Sequence, residues 1–184
     1  MSLAQLAATR EKYTIADILH MEEAGIFGPE DNFELIEGEI VPMNAKHALH
    51  ELLKSEVGIA LAIARPKHLQ IGFETSIILT HDTLIEPDIC VYPRQIASTD
   101  VRGADLILAI EIADSTLAYD RGRKAKICAS NGVQELWVID AVQRRSFIHT
   151  GPSMQGWASI IEHGPEFELT IKAVPGFALR LSEI

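Results

Sequence analysis

The chain has 184 residues, 47% of them hydrophobic, with 16 Lys and Arg against 26 Asp and Glu for a formal charge of -10. A chain of this size buries about 70% of its unfolded surface, and the apolar content is enough to fill that core, so resting disorder is excluded and one domain is expected. The acidic balance excludes a protein that coats phosphate backbones by bulk electrostatics, but not one whose acids surround a divalent cation, because a bound metal inverts the local field.

The longest apolar runs, such as residues 106–112, fall well short of the roughly 18 to 20 residues of a membrane helix, so no membrane partner is expected. Arg10, Glu11 and Lys12 interrupt any leader-like start, which makes the expected location cytoplasmic. Two cysteines, Cys90 and Cys128, are too few for a disulfide framework or a thiolate zinc site, and their apolar surroundings are those of buried thiols.

In chain order, residues 1–12 lack periodicity and are expected as a flexible arm, with a single domain over 13–184. Thr14 reads as a helix N-cap, with Asp17 three residues on as a capping-box variant, Ile15, Ile18 and Leu19 on one face, and Gly25 as terminator. After the turn-rich stretch 28–32, residues 33–41 alternate around Gly38 as a strand pair or a strand with a tight turn, ended by Pro42. Apolar residues at 49, 52, 53, 57, 60, 61 and 64 mark a long helix over 47–64, closed by Pro66.

Residues 69–79, 85–92 and 106–112 then read as strands of a central sheet. A second helix spans 119–131, with small apolar residues at 118, 125, 128 and 129 and a stop at Asn131-Gly132. Residues 133–140, 145–150, 158–163 and 167–171 follow as strands separated by turns, forming a β meander. The order fits an α/β domain with a mixed sheet.

Three acids stand out because a carboxylate in an apolar run is costly unless it is paired, protonated or bound to metal. They are Glu34, Asp88 and Glu111. In residues 106–112, six apolar residues surround Glu111, and both faces of that strand read as buried. Pro87 puts Asp88 near the start of a strand, where a turn acid open to solvent is the plainer reading. Two carboxylates on neighbouring strands make a hard oxygen site for Mg2+ or Mn2+, and a nearby lysine completes a phosphodiester-hydrolysing set. The basic run 121–126 follows the Glu111 strand and offers that lysine, although such a run is also what a solvated helical turn looks like.

Pro87-Asp88, Glu111 in an apolar strand and a helical lysine together resemble the PD-(D/E)xK nuclease superfamily. Within it the chain from Tyr13 to Ile184 resembles the Uma-type family of restriction endonucleases. The stretches that carry the likeness are FELIEGE at 33–39, EPDICVY at 86–92, LAIEIADST at 108–116, YDRGRKAKICASNGVQELWVID at 119–140 and VPGFALRLSEI at 174–184. The resemblance implies a restriction-endonuclease-like fold, with a central mixed sheet flanked by helices and a C-terminal β meander. It implies Asp88 and Glu111 as metal ligands, Glu34 as a further acid at the site, Mg2+ or Mn2+ as cofactor and DNA as partner, with a homodimer allowed.

The superfamily lysine usually stands two residues after the glutamate, where this chain has Ala113. By resemblance to the Uma-type pattern over 120–133, Lys124 takes its place, with Lys126 as competitor. On an α-helix the two lie about 200° apart at roughly 100° per residue, so only one can face the strand. Loss of Lys124 is then expected to abolish cleavage at little cost in stability.

His50 matches a histidine often found at that place in the family. Read from the sequence, it lines a cleft, belongs to an ordinary polar helix face, or pairs with His47 on zinc, a choice weakened by the lack of a third nitrogen or thiolate nearby. Glu34, between Phe33 and Leu35, reads equally as an edge-strand acid, Glu74 as a solvent-facing strand acid or a cleft residue, and Trp137 as core. The preferred expectation is a metal-dependent endonuclease acting on DNA. The alternatives are a nuclease-derived binding or assembly domain without turnover, which the charge and the displaced lysine favour, and a hydrolase of a smaller phosphorylated compound.

Overall fold

In the computed structural model, which describes residues 2–8, 12–28, 31–43 and 47–184, the Thr14 hydroxyl accepts the Asp17 N–H and the Asp17 carboxylate accepts the Thr14 N–H. This capping box satisfies N–H groups that the first helical turn leaves without intrahelical partners. The helix it starts is one of five among the described residues: α1 (Leu3–Ala8), α2 (Ile15–Glu23), α3 (Ala48–Ala64), α4 (Leu117–Tyr119) and α5 (Ala125–Ser130). The strands are β1 (Phe33–Ile36), β2 (Glu39–Pro42), β3 (Leu69–Phe73), β4 (Ile77–Thr80), β5 (Thr83–Ile85), β6 (Ile89–Pro93), β7 (Leu108–Ala113), β8 (Glu135–Asp140), β9 (Arg145–Ser153), β10 (Gly156–His163), β11 (Leu169–Ile171) and β12 (Val174–Leu179). No helix among the described residues is long and apolar enough to cross a membrane.

The chain groups into two compact units, residues 1–45 with 76–86 and residues 46–75 with 87–184. In the first unit an antiparallel sheet has the strand order β2-β1-β5-β4. Residues 3–8 are helix rather than flexible arm, because Leu6 is buried with Ile18, Leu35 and Ile40. Residues 9–11 of that arm, and Pro29 and Glu30 of the turn-rich stretch, lie outside the described residues. β1 and β2 are the strand pair expected around Gly38, which takes φ +79°, a left-handed conformation that glycine adopts without strain.

The second unit holds a six-stranded sheet of order β10-β9-β8-β7-β6-β3. β7 and β8 run parallel and every other neighbouring pair is antiparallel, so the central sheet is mixed. The expected run 69–79 breaks at Glu74, which takes φ +47°, and the run 85–92 breaks before Ile89, beside Pro87. Proline lacks a ladder donor, and a left-handed residue turns a strand out of its line. β4 and β5 therefore leave the central sheet and pair in the first unit.

β7 is buried along its whole length. Leu108, Ile110 and Ile112 join Leu53, Val57 and Leu61 of α3, Trp137 and Ile139 of β8, and Phe177 of β12 in one apolar core. The period of two then sends Ala109, Glu111 and Ala113 to the opposite face, the side on which α5 packs against β9 and β10. β8, β9 and β10 form the C-terminal meander at one edge, and β11 and β12 add a separate hairpin.

Candidate active site

The β6–β7 ladder pairs Val91 with Leu108, Cys90 with Ala109 and Ile89 with Ile110. One residue further along that register, Asp88 stands beside Glu111. The backbone ladder has ended there, and the Asp88 carboxylate takes over as acceptor for the Ile112 N–H at 2.8 Å. That accounts for a backbone donor which burial would otherwise leave unsatisfied. Asp88 is thus buried rather than a solvent-open turn acid.

Glu111 receives its counter-charge from the turn that leads into α5, on its own face of the sheet. Lys124 Nζ lies 2.8 Å from Glu111 Oε1, and the two residues are only 3% and 4% exposed. Lys124 reaches this position because residues Asp120–Lys124 form a π-turn between α4 and α5, closed by the Ala125 N–H on the Asp120 carbonyl. The extra residue in such a turn shifts the side-chain phase relative to an α-helix. Lys124 is buried against the sheet, while Lys126, in regular α5, is exposed.

His50 belongs to the first turn of α3, and each of its ring nitrogens faces a carboxylate oxygen. Nε2 lies 3.1 Å from Asp88 Oδ2 and Nδ1 lies 3.2 Å from Glu51 Oε1. His50 is buried and contacts Asp88 directly, so it is not part of a polar helix face open to solvent. His47 sits apart at the N-cap, exposed, with Asp114 its nearest acid at 3.8 Å.

The larger unit therefore gathers His50, Asp88, Glu111 and Lys124 in and around the β6–β7 junction. Glu34 belongs to the smaller unit, where its carboxylate accepts the Glu86 N–H at 2.8 Å. It is a buried residue on an inner strand between β2 and β5, and not an edge-strand acid. Trp137 is fully buried, as its β-rich context predicts.

Glu51 and Lys54 were not singled out from the sequence, yet both belong to this cluster. Lys54 Nζ bridges Glu51 at 2.8 Å and Glu74 at 2.6 Å. The sequence signal was His50 and Lys54 at i,i+4, which puts them on one helix face. Glu74 faces solvent, as the plainer reading has it, but lies just after β3 rather than in a strand. It follows β3 in a left-handed conformation and holds Lys54.

Burial first, with the Glu111 charge adding to it, pushes the Cys90 thiol up to about 11. It therefore stays protonated near neutrality and is no nucleophile. Asp88 and Glu111 are the two buried carboxylates at this junction, and a divalent cation here would be theirs to hold. Two neighbouring carboxylates with no closed cage around them suit magnesium, which keeps waters and shares its remaining positions with substrate phosphates. Among the described residues no group of three or more His, Cys, Asp or Glu side chains is arranged to hold a metal ion.

The mixed sheet thus carries Glu111 on an inner strand, Asp88 just before the neighbouring one, and Lys124 in the turn that leads into α5. The chain belongs to the Uma2 family, described as "putative restriction endonuclease", whose model matches residues 15–182. Among solved structures, a "putative nuclease belonging to DUF820" from Anabaena variabilis superimposes with a TM-score of 0.73 over 93% of this chain and 96% of that one. At 18% identity this likeness concerns the fold. No curated protein matches the chain.

Proposed function

We propose that this chain is a metal-dependent endonuclease that hydrolyses phosphodiester bonds of DNA. The observation that carries the reading is the buried Lys124–Glu111 pair on the strand next to Asp88. Buried charge of this kind is costly for stability compared with apolar packing, and its place beside the buried Asp88 on an inner strand of the sheet favours a chemical role over a structural one.

Asp88 and Glu111 would hold magnesium or manganese, which lowers the pKa of a bound water and stabilises charge developing on the phosphate. Lys124 Nζ, fixed by Glu111, carries protons that can hydrogen-bond the attacking water or a non-bridging phosphate oxygen. His50 holds the Asp88 carboxylate from one side while the Ile112 N–H holds it from the other. Lys124 contacts Glu111 although Ala113 occupies the usual lysine position, so the displacement alone does not argue for a domain without turnover.

The test is cleavage of supercoiled plasmid by the pure chain with Mg2+ or Mn2+, with EDTA and with a nucleotide substrate as controls. Nicking or linearisation that disappears in EDTA, in Asp88→Asn and in Glu111→Gln is the expected result. Inactivity of well-folded wild type on every DNA form and metal would overturn it in favour of a binding or assembly domain, and activity confined to nucleotides would redirect it to a small phosphorylated substrate.

A further inference from the structure

Five residues of the larger unit close a ring on Asp88. The Asp88 carboxylate meets His50 Nε2 at 3.1 Å, and His50 Nδ1 meets Glu51 Oε1 at 3.2 Å. Lys54 Nζ donates to Glu51 at 2.8 Å and to Glu74 at 2.6 Å. The Glu74 N–H then returns to the main-chain carbonyl of Asp88 at 3.3 Å. The same residue is thus gripped at its side chain through His50 and at its backbone through Glu74, and Lys54 links the two grips.

The Glu51 and Glu74 side chains are 46% and 43% exposed, but two observations distinguish the ring from a plain surface ion pair. The Lys54 side chain is only 13% exposed, an uncommon degree of burial for lysine. Glu74 is a non-glycine residue at φ +47°, a conformation that costs energy and persists where surroundings over-determine it. Partial burial pulls the Lys54 ammonium down, and the hydrogen bonds it donates to Glu51 and Glu74 more than offset this and hold it above the ordinary lysine value.

We propose that Lys54 is a positioning residue for Asp88, joining the His50–Glu51 arm to the Glu74 backbone contact so that the Asp88 carboxylate is oriented for a divalent cation. The inference rests on the metal-dependent reading above for its purpose, but the ring itself stands on the contacts of this unit. Partners that orient metal ligands in this way typically matter about 10- to 100-fold in metal affinity when removed. Plain electrostatics predicts the opposite sign, since deleting a cation near a cation site should tighten metal binding.

The experiment compares wild type, Lys54→Met and Lys54→Arg by two readouts. NMR follows the Ile112 amide, which donates to Asp88, and the His50 ring nitrogens, without metal. Calorimetry follows Mn2+ binding, with Asp88→Asn as control. Lys54→Met is expected to shift the Ile112 and His50 signals, speed exchange of the Ile112 amide and weaken Mn2+ at least about tenfold, with Lys54→Arg restoring most of each. Unchanged Ile112 and His50 signals in a folded Lys54→Met overturn the proposal, as does Mn2+ binding that tightens. If wild type binds no Mn2+, the metal-dependent reading fails, and the NMR comparison still decides whether Lys54 positions Asp88.

Discussion

Lys124 Nζ and Glu111 Oε1 meet at 2.8 Å across the face of the sheet opposite the main apolar core, both side chains almost fully withdrawn from solvent. Each charge offsets part of the desolvation cost of the other. The lysine is as much a part of the fold as of the site, which revises the sequence-based expectation that its loss leaves stability nearly intact.

Lys124→Met is expected to abolish phosphodiester cleavage and also to lower stability by about 3 to 5 kcal/mol, since it strands a buried carboxylate. The double variant Lys124→Met/Glu111→Gln should recover much of that loss in urea unfolding without recovering cleavage. Lys126→Ala, at an exposed position, should stay within about 0.5 kcal/mol of wild type and keep most of the activity. Full cleavage by Lys124→Met removes the lysine from the chemistry.

A divalent cation bound by Asp88 and Glu111 should raise the melting temperature. At a free Mn2+ concentration of about 100 times the dissociation constant the gain is about 2.7 kcal/mol, read as a concentration-dependent shift in a thermal scan. Asp88→Asn and Glu111→Gln should each flatten that response. A variant that responds as wild type does shows that its carboxylate is not a ligand.

Stability should fall as pH drops below neutrality, through His149. This residue is fully buried, and burial, partly offset by hydrogen bonds to the Leu136 and Phe147 carbonyls, lowers its pKa from 6.5. The unfolded chain therefore takes up the proton first as pH falls through 6.5. The stabilisation is present above that value and is lost progressively between it and the lower folded-state value. Urea midpoints at pH 8, 6.5 and 5.5 should decline for wild type and decline less for His149→Gln, which keeps a donor but does not titrate; equal slopes for the two reject the assignment.

Glu34 gives a prediction about charge against shape. Its carboxylate accepts the Glu86 N–H, and Glu34→Ala leaves that donor without its acceptor at a cost of about 1 to 3 kcal/mol. Glu34→Gln keeps an acceptor oxygen and should restore most of the stability. If Glu34→Gln folds normally but cleaves DNA poorly, the negative charge matters to the chemistry. Full activity in Glu34→Gln assigns the residue to structure alone.

Much of the architecture was legible in the residues themselves, because local rules decided it. Thr14 and Asp17 fix the start of α2 through a hydrogen-bond pattern that spans three residues. The apolar stripe of residues 48–64 becomes α3, and the isolation of Glu111 among apolar neighbours marks it as an acid that must find a partner. Spacing of 3.6 or 2 residues and the cost of a buried charge act within one segment, so no tertiary information is needed to read them.

What the tertiary structure alone decided is long-range. Whether 77–85 pair with the central sheet or with β1 depends on competing ladders that no local pattern ranks, and the left-handed Glu74 and Pro87 divert them. The resemblance favours Lys124 over Lys126, but that Lys124 is buried against Glu111 while Lys126 stays exposed is settled only by the packing of this turn on the sheet. The ring from Asp88 through His50, Glu51, Lys54 and Glu74 joins residues up to 38 positions apart. Each looks ordinary in its own segment, and only the packing of α3 against the strand ends gives the five one purpose.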